Sequence, residues 1–494
     1  MSNHALEELL TAYRPIWALN HASAIFEWDT ETYMPLDGAK SRGFAQAEVA
    51  LMKQRYMKTL EPLIVHVQKL QDLGDRERGV LRVLRRELEY YQKVPPSLIE
   101  ELEKITAEAT VVWRDARRKS DFELYTPFLE KIVELKRAEA EKLGYVGHPY
   151  NALLDLFEED LTTIEVDRMF SGLVPELKRI LEKVTTESIF PSSHPLEHIE
   201  YARDDMNRVN LEVLHVLGMP ENNFRMDVST HPFTVGMSLD DVRITTRYEG
   251  RSFRESMYSV IHECGHALYE LQIDRSLEYT PLAGGTSLGV HESQSRFWEN
   301  IVGRTREFTE LIYPMLRKYL KFLSAYDEDQ VYRYFNMVRP SSIRVAADEL
   351  TYNFHIVLRY ELEKKLIAGD VRVDDAPSIW NEMMEKYLGI KPKSLAEGIL
   401  QDVHWSGGMI GYFPTYSLGN VLSAMILDRM QHDLDLRSTV KEGKMTVLKE
   451  WLRQHVHQWG ATYSPKELQE KLFGEQYTPK PLVRYLEMKY LGEP

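Results

Sequence analysis

The chain has 494 residues, of which 43% are hydrophobic and 28% charged, the balance of an ordinary globular protein rather than a disordered one. Lys and Arg total 61 against 76 Asp and Glu, and the net charge of -15 argues against nucleic acid and anionic membrane surfaces as partners. Cys264 is the single cysteine, so no intrachain disulfide can form and a reducing cytoplasm is the expected compartment. The N-terminus has no basic region followed by an apolar run, and no stretch approaches the roughly 20 apolar residues of a bilayer span.

Most of the chain reads as helix. Leu6, Leu9, Leu10 and Tyr13 share one stripe, and Leu81, Val83, Leu84, Leu88 and Tyr91 form another, with charged residues at the complementary positions. Pro95-Pro96 stops the second helix, and Ser97 with Glu100 three residues on reads as a capping box for the next. From Phe224 to Tyr248 the pattern changes. Val242, Ile244, Thr246 and Tyr248 alternate with Arg243, Thr245 and Arg247, which predicts a strand with one buried face, preceded by a turn at Ser238–Asp241 and closed by Gly250. No repeat, low-complexity tract or linker marks a boundary. The expected architecture is therefore one mainly α-helical catalytic domain over residues 1–494, in one or two lobes, with a small β-sheet beside the next helix.

That helix carries His262-Glu263-Cys264-Gly265-His266. Residues four apart on a helix project from one face, so the two imidazoles can meet one zinc ion. Glu263 is rotated by about 100° and can take a proton from a metal-activated water without ligating. Ile261, Cys264, Leu268 and Leu271 form the packing stripe, which makes Cys264 a small buried hydrophobe. Gly265 costs about 1 kcal/mol relative to Ala in mid-helix, which points to a close approach. A catalytic zinc needs a third protein ligand and an open position. Glu270 and Asp274 lie too far along the same helix to converge. After the breaker-rich stretch Pro281–Gly285 the chain can reverse, and Glu292 in His291-Glu292-Ser293-Gln294 is the favoured third ligand, with His291 and Glu299 as competitors.

HECGH followed by His291-Glu292-Ser293-Gln294-Ser295-Arg296 resembles the carboxypeptidase Taq family of metallocarboxypeptidases. His231-Pro232-Phe233, Asp241-Val242-Arg243-Ile244-Thr245, Ile343–Asp348, Gly398–Trp405 and Gly411–Tyr416 extend the resemblance over roughly half the chain. The resemblance implies a large, two-lobed helical fold with a deep groove, like that of neurolysin and angiotensin-converting enzyme, with the catalytic motifs in 231–416 and the N-terminal helices walling or roofing the groove. It implies removal of single residues from peptide C-termini with broad tolerance, commonly by a homodimer. It also implies His262, His266 and Glu292 as ligands of one Zn2+ per chain, which Co2+ can replace, with Glu263 as base.

An exopeptidase must hold a free carboxylate, which a guanidinium does with two parallel hydrogen bonds. Arg344 is the family-matched candidate; the alternative is a helix-surface salt bridge to Asp348. Arg243 is the rival carboxylate binder, with a sheet-bracing role as its alternative. Tyr416, with His404 as partner, is the expected donor to the tetrahedral oxyanion, and His231 an expected substrate contact. Two further readings compete: an oligopeptidase cutting internal bonds of short peptides, and a non-catalytic metal- or peptide-binding protein. The intact Glu263 disfavours the second, because metal binding alone does not require that base.

Overall fold

The computed structural model describes residues 2–492 and is mainly helical. Helices α1 (Ser2–Thr32), α2 (Ala39–Thr59), α3 (Glu61–Gln68) and α4 (Asp75–Lys93) are followed by α5 (Pro96–Lys119), α6 (Thr126–Leu143), α7 (Tyr150–Asp155) and α8 (Thr163–Thr186). Next come α9 (Arg203–Val216), strands β1 (Phe224–Val228), β2 (Thr234–Ser238) and β3 (Asp241–Thr246), and helices α10 (Phe253–Leu271), α11 (Leu288–Arg296), α12 (Arg306–Tyr319) and α13 (Glu328–Phe335). The later helices include α14 (Tyr352–Ala368), α15 (Ala376–Leu388) and α16 (Pro414–Met430). Among the described residues, no helix is long and apolar enough to cross a membrane.

The chain divides into two compact units, each assembled from three segments. The first comprises residues 1–91, 194–335 and 426–476; the second comprises 92–193, 336–425 and 477–494. In the first, the predicted stripe of α1 is buried against the apolar faces of α3 and α4, through Ile64, Val67, Leu81, Leu84 and Leu88. Ile273, Leu277 and Leu282 join the same cluster, so the N-terminal helices pack on the chain between the two motif-bearing helices, and Leu239 joins it from the turn between β2 and β3. Burying a Leu or Ile contributes about 1.5–3 kcal/mol, and this cluster steadies the segment that reverses the chain towards α11.

The helix after Pro95-Pro96 starts differently from the expectation. Pro95 is the capping residue, Pro96 the first helical residue, and no side chain caps the end. Proline suits the first helical position because its missing N–H would be unsatisfied there anyway, so Ser97 falls inside the first turn. A capping box does form at α8, where Thr162 and Glu165 satisfy each other's backbone N–H groups.

The β-rich segment forms three strands in the order β1-β3-β2, with β3 parallel to β1 and antiparallel to β2. Val242, Ile244 and Thr246 are fully buried, as their alternation predicts, but Thr245 on the expected open face is buried as well, its hydroxyl accepting from Ser229 and from the Phe233 N–H, and Tyr248 lies past the strand end. Gly250 at φ 81° and Ser252 at φ 54° then turn the chain into α10.

The position of Gly265 is set by its neighbour. A Cβ there would sit 2.6 Å from both the Gln294 carbonyl oxygen and the Ser295 Cα, so α10 and α11 touch backbone to backbone. Gly265→Ala gives a prediction whose sign is diagnostic. Helix propensity favours Ala by about 1 kcal/mol, whereas overpacking against backbone costs about 1–3 kcal/mol or more. Chemical denaturation is expected to show net destabilisation; a more stable variant would show that this contact does not constrain the helix pair.

Candidate active site

In the first unit, α10 and α11 bring three predicted ligands together. Glu292 Oε2 lies 3.5 Å from His262 Nε2 and 3.4 Å from His266 Nε2, and the three donor atoms all lie within 4.8 Å of one another. A tetrahedral ion with bonds of about 2.0–2.1 Å separates its ligand atoms by about 3.3–3.4 Å, so both carboxylate–imidazole spacings suit one bound ion. The donor set, two imidazole nitrogens and one carboxylate oxygen, is that of a catalytic zinc site.

The two competitors for the third position stand one layer back. Glu299 Oε2 is 2.9 Å from His262 Nδ1, and His291 Nδ1 is 2.6 Å from His266 Nδ1. Neither contact is with the Nε2 atoms that face Glu292. Glu299 lies in a π-helical stretch, Phe297–Val302, that continues directly from α11; such insertions are frequent at functional sites. Arg296 bonds Glu292 Oε1 at 2.7 Å and Glu299 Oε2 at 3.2 Å, and Arg304 bonds Glu299 Oε1 at 3.0 Å.

Charge follows from this packing. Burial alone would raise Glu292 and Glu299, but Arg296 and the histidines override it and hold both carboxyls below their ordinary range. Burial would likewise lower His262, but the charges and hydrogen bonds of Glu292 and Glu299 hold it up at about 10. His266, whose Nδ1 meets an imidazole instead of a carboxylate, is pushed down to about 3, chiefly by burial.

Glu263 is buried on the same helix and sits apart from the arginines. Thr234 on β2 donates to its Oε2 at 2.6 Å, and Oε1 has no hydrogen bond among the described residues. Burial raises its carboxyl above the ordinary range, opposed by His262 and the Thr234 hydrogen bond. The sheet thus sets the orientation of the candidate base. Thr234 was not anticipated, because a threonine on a short strand carries no chemical signature.

Arg243, on β3, is engaged by its own strand: Nε and Nη2 both reach Asp241, at 2.8 and 2.7 Å. Its guanidinium also lies 5.6 Å from the centre of the Trp28 ring. The His231 carbonyl accepts from Ser229 at 2.5 Å, fixing the turn between β1 and β2, while the residue itself is exposed.

Arg344, His404 and Tyr416 belong to the second unit, where they form one group. Arg344 is buried in a short 3-10 turn and does not pair with Asp348, whose carboxylate instead accepts backbone N–H groups of Arg339, Leu350 and Thr351. Its partner is Asp402, at 2.9 Å from Nε, and Nη1 donates to the Tyr352 hydroxyl at 2.9 Å. Arg359, fully buried on α14, donates to the other oxygen of Asp402 at 2.7 Å and to the His355 carbonyl. Two guanidiniums therefore share one carboxylate, and Arg344 Nη2 makes no hydrogen bond among the described residues.

The Arg344 guanidinium lies 5.1 Å from the centre of the Tyr416 ring, and the Tyr416 hydroxyl is 3.2 Å from His404 Nε2. Burial, then Arg344, push His404 down to about 3, so the ring is neutral. The loop carrying these residues is anchored by Glu363, which accepts from Trp405 Nε1 at 2.6 Å and from the Gly411 N–H at 2.9 Å. Arg359 and Glu363 were missed by sequence reading, because α14 carries Glu361, Lys364 and Lys365 as well and nothing local marks which of its charges are buried.

Asp402→Asn tests the electrostatics of this group. Removing one partner of a buried ion pair costs about 3–5 kcal/mol, and a loss of that size is expected in chemical denaturation. Because Asp402 is held below the ordinary aspartate range against the cost of burial, chiefly by Arg359 and then Arg344, its contribution is present above that range and lost as pH falls towards the depressed value. An Asn variant as stable as the parent, with the same acid sensitivity, would contradict the assignment.

The chain is similar to known proteins over nearly its whole length. A family model described as Carboxypeptidase Taq (M32) metallopeptidase matches residues 8–490. Thermostable carboxypeptidase 1 of Pyrococcus furiosus is 46% identical over 495 residues, covering 99% of both chains, and carboxypeptidase 1 of Bacillus subtilis is 35% identical over 497 residues, again covering 99% of both. The solved structure of the Pyrococcus furiosus carboxypeptidase matches with a TM-score of 0.97 over 98% of this chain and 99% of that one. The M32 carboxypeptidase from Deinococcus radiodurans R1 matches at 31% identity with a TM-score of 0.94, over 99% of each chain. With its helical fold, its match to the family model over residues 8–490 and a His-His-Glu cluster that could hold a metal ion, the chain belongs to the carboxypeptidase Taq (M32) family of metallopeptidases and is a metallocarboxypeptidase.

Proposed function

We propose that this enzyme releases single residues from the free C-termini of peptides, with broad side-chain tolerance. In this reading one zinc ion is held by His262, His266 and Glu292, and Glu263 is the general base. The observation that carries it is the convergence of Glu292 Oε2 with both Nε2 atoms beside a buried, arginine-free carboxylate on the same helix. When bound, zinc supplies a water of lowered pKa and polarises the scissile carbonyl, and cobalt suits the same donors.

Glu263 takes the water's proton on Oε1, since Thr234 occupies Oε2. Its raised pKa makes it a stronger base than an exposed glutamate and lets it pass the proton to the departing amine. Arg344 receives the terminal carboxylate through Nη2, and the positive charge that Asp402 leaves uncompensated favours an anion there. Arg359 is less suited, because Asp402 and the His355 carbonyl occupy all three of its nitrogens. Arg243 acts as a brace for the sheet through Asp241. Tyr416, with its hydroxyl beside neutral His404, donates to the developing oxyanion, and His231 contacts the substrate.

Two measurements test this reading. A peptide and its C-terminally amidated twin, digested in parallel and followed by mass spectrometry, should differ by about 10–100-fold in rate, the worth of one or two charge-assisted hydrogen bonds. Equal cleavage would overturn the exopeptidase reading in favour of an oligopeptidase. Glu263→Gln should retain one zinc per chain by metal analysis while turnover falls by about 100-fold or more; a well-active variant would remove Glu263 from its role.

A further inference from the structure

The two histidines of the triad are supported in different ways. His262 Nδ1 meets a carboxylate, Glu299, directly. His266 Nδ1 meets His291 Nδ1 at 2.6 Å, and the far nitrogen of that ring, His291 Nε2, meets Glu270 Oε1 at 2.7 Å. Glu270 follows His266 by four residues on α10 and so lies on the same face, while His291 precedes Glu292 on α11. Three groups on two helices therefore form a closed chain behind one ligand.

With a metal ion on His266 Nε2, one order of protons in this chain follows from the contacts. Two nitrogens facing each other at 2.6 Å need one hydrogen between them, and an ionised carboxylate only accepts. His291 therefore carries its proton on Nε2 and donates it to Glu270, which leaves its Nδ1 as a bare acceptor. His266 then carries its own proton on Nδ1, which leaves its Nε2 lone pair for the ion beside Glu292 Oε2. The opposite order would put a proton on His266 Nε2, where the ion has to bind.

The surroundings keep the bridging ring in place. A Cβ on Gly285 would fall 2.7 Å from His291 Cδ2 and 2.9 Å from Tyr269 Cε1, so this glycine clears room for the ring. The Gly285 N–H donates to Glu270 Oε1 at 3.2 Å, tying the carboxylate to the same loop. The Tyr269 ring, centred 5.1 Å from the His291 ring, packs beside it.

We propose that His291 and Glu270 are positioning residues, a relay that fixes His266 in the one tautomer able to hold a metal through Nε2. The inference rests on the metal reading above. It assigns a role to the histidine next to Glu292 that is not that of a ligand, and a role to Glu270 beyond the surface of its helix.

The test uses the full chain, stripped of metal and titrated with zinc against a chromophoric chelator. Loss of a group that orients a ligating histidine typically weakens metal binding about 10–100-fold. His291→Leu should show that loss. His291→Asn places an acceptor near the position of Nδ1 and should recover most of the affinity, while Glu270→Gln, which conserves shape and still accepts from His291, should fall between them. Cobalt-loaded His291→Leu should keep the visible spectrum of a three-ligand site. Zinc affinity in His291→Leu equal to the parent's, or an Asn variant no better than Leu, overturns the relay. A cobalt spectrum showing a lost ligand would instead make His291 a ligand and also overturn it. If His291→Leu does not fold, Glu270→Gln decides alone, and affinity unchanged from the parent's overturns the proposal. Failure of the parent protein itself to bind zinc would refute the metal reading, a result separable from all of these.

Discussion

The site depends on one steric condition, the contact of α10 and α11 at Gly265. Two histidines on one helix supply two donors, but a third donor must come from elsewhere and arrive within about 3.5 Å of both. Backbone contact at Gly265 brings α11 close enough for Glu292 to do so. Any side chain at that position would hold the helices apart by at least a methyl group. The helix-propensity cost of glycine is thus offset by the geometry it allows, and the two motifs work as a pair only because their backbones touch.

That same closeness creates an electrostatic problem. Glu292, Glu299 and Glu263 are all packed into a small volume with two imidazoles, and burying carboxylates is unfavourable unless each is compensated. The arrangement separates their roles by partner. Glu292 and Glu299 receive Arg296, and Glu299 also receives Arg304, so both remain ionised and act as acceptors. Glu263 receives only a threonine hydroxyl, and burial raises its pKa. Carboxylates on neighbouring helices are thereby tuned in opposite directions, one set held ionised and one pushed towards its protonated form.

Much of this was legible in the sequence, because the signals were local. The spacing of His262 and His266, the stripe through Ile261, Cys264 and Leu268, the alternation through β3 and the odd glycine at 265 all depend on neighbours within a turn or a strand. What could not be read depends on partners far apart in the chain. Asp402, 58 residues from Arg344, takes the place expected for Asp348; the four-residue rule presumes a helix, and Arg344 sits in a three-residue turn instead. Thr234, 29 residues before Glu263, reaches it only because β2 pairs with β3. The division into two units, each from three segments, leaves no mark in composition, because both are built of the same amphipathic helices.

The two groups of functional residues also differ in how they treat charge, and this bears on what each can do. In the first unit the acceptors on α11 and its π-helical extension are matched by arginines and histidines. In the second, Asp402 is shared between two buried guanidiniums, and the hydrogen bonds leave one nitrogen of Arg344 uncommitted. A cluster with more positive charge than it can neutralise internally is stabilised by an anion and gains little from a neutral group. A carboxypeptidase needs both properties, a site that takes up a metal and a site that selects for a carboxylate. Neither would suffice alone: the first describes any peptidase with this helix motif, and the second describes any anion-binding surface. Under the proposed reading, the first is the metal site and the second is the anchor for the terminal carboxylate.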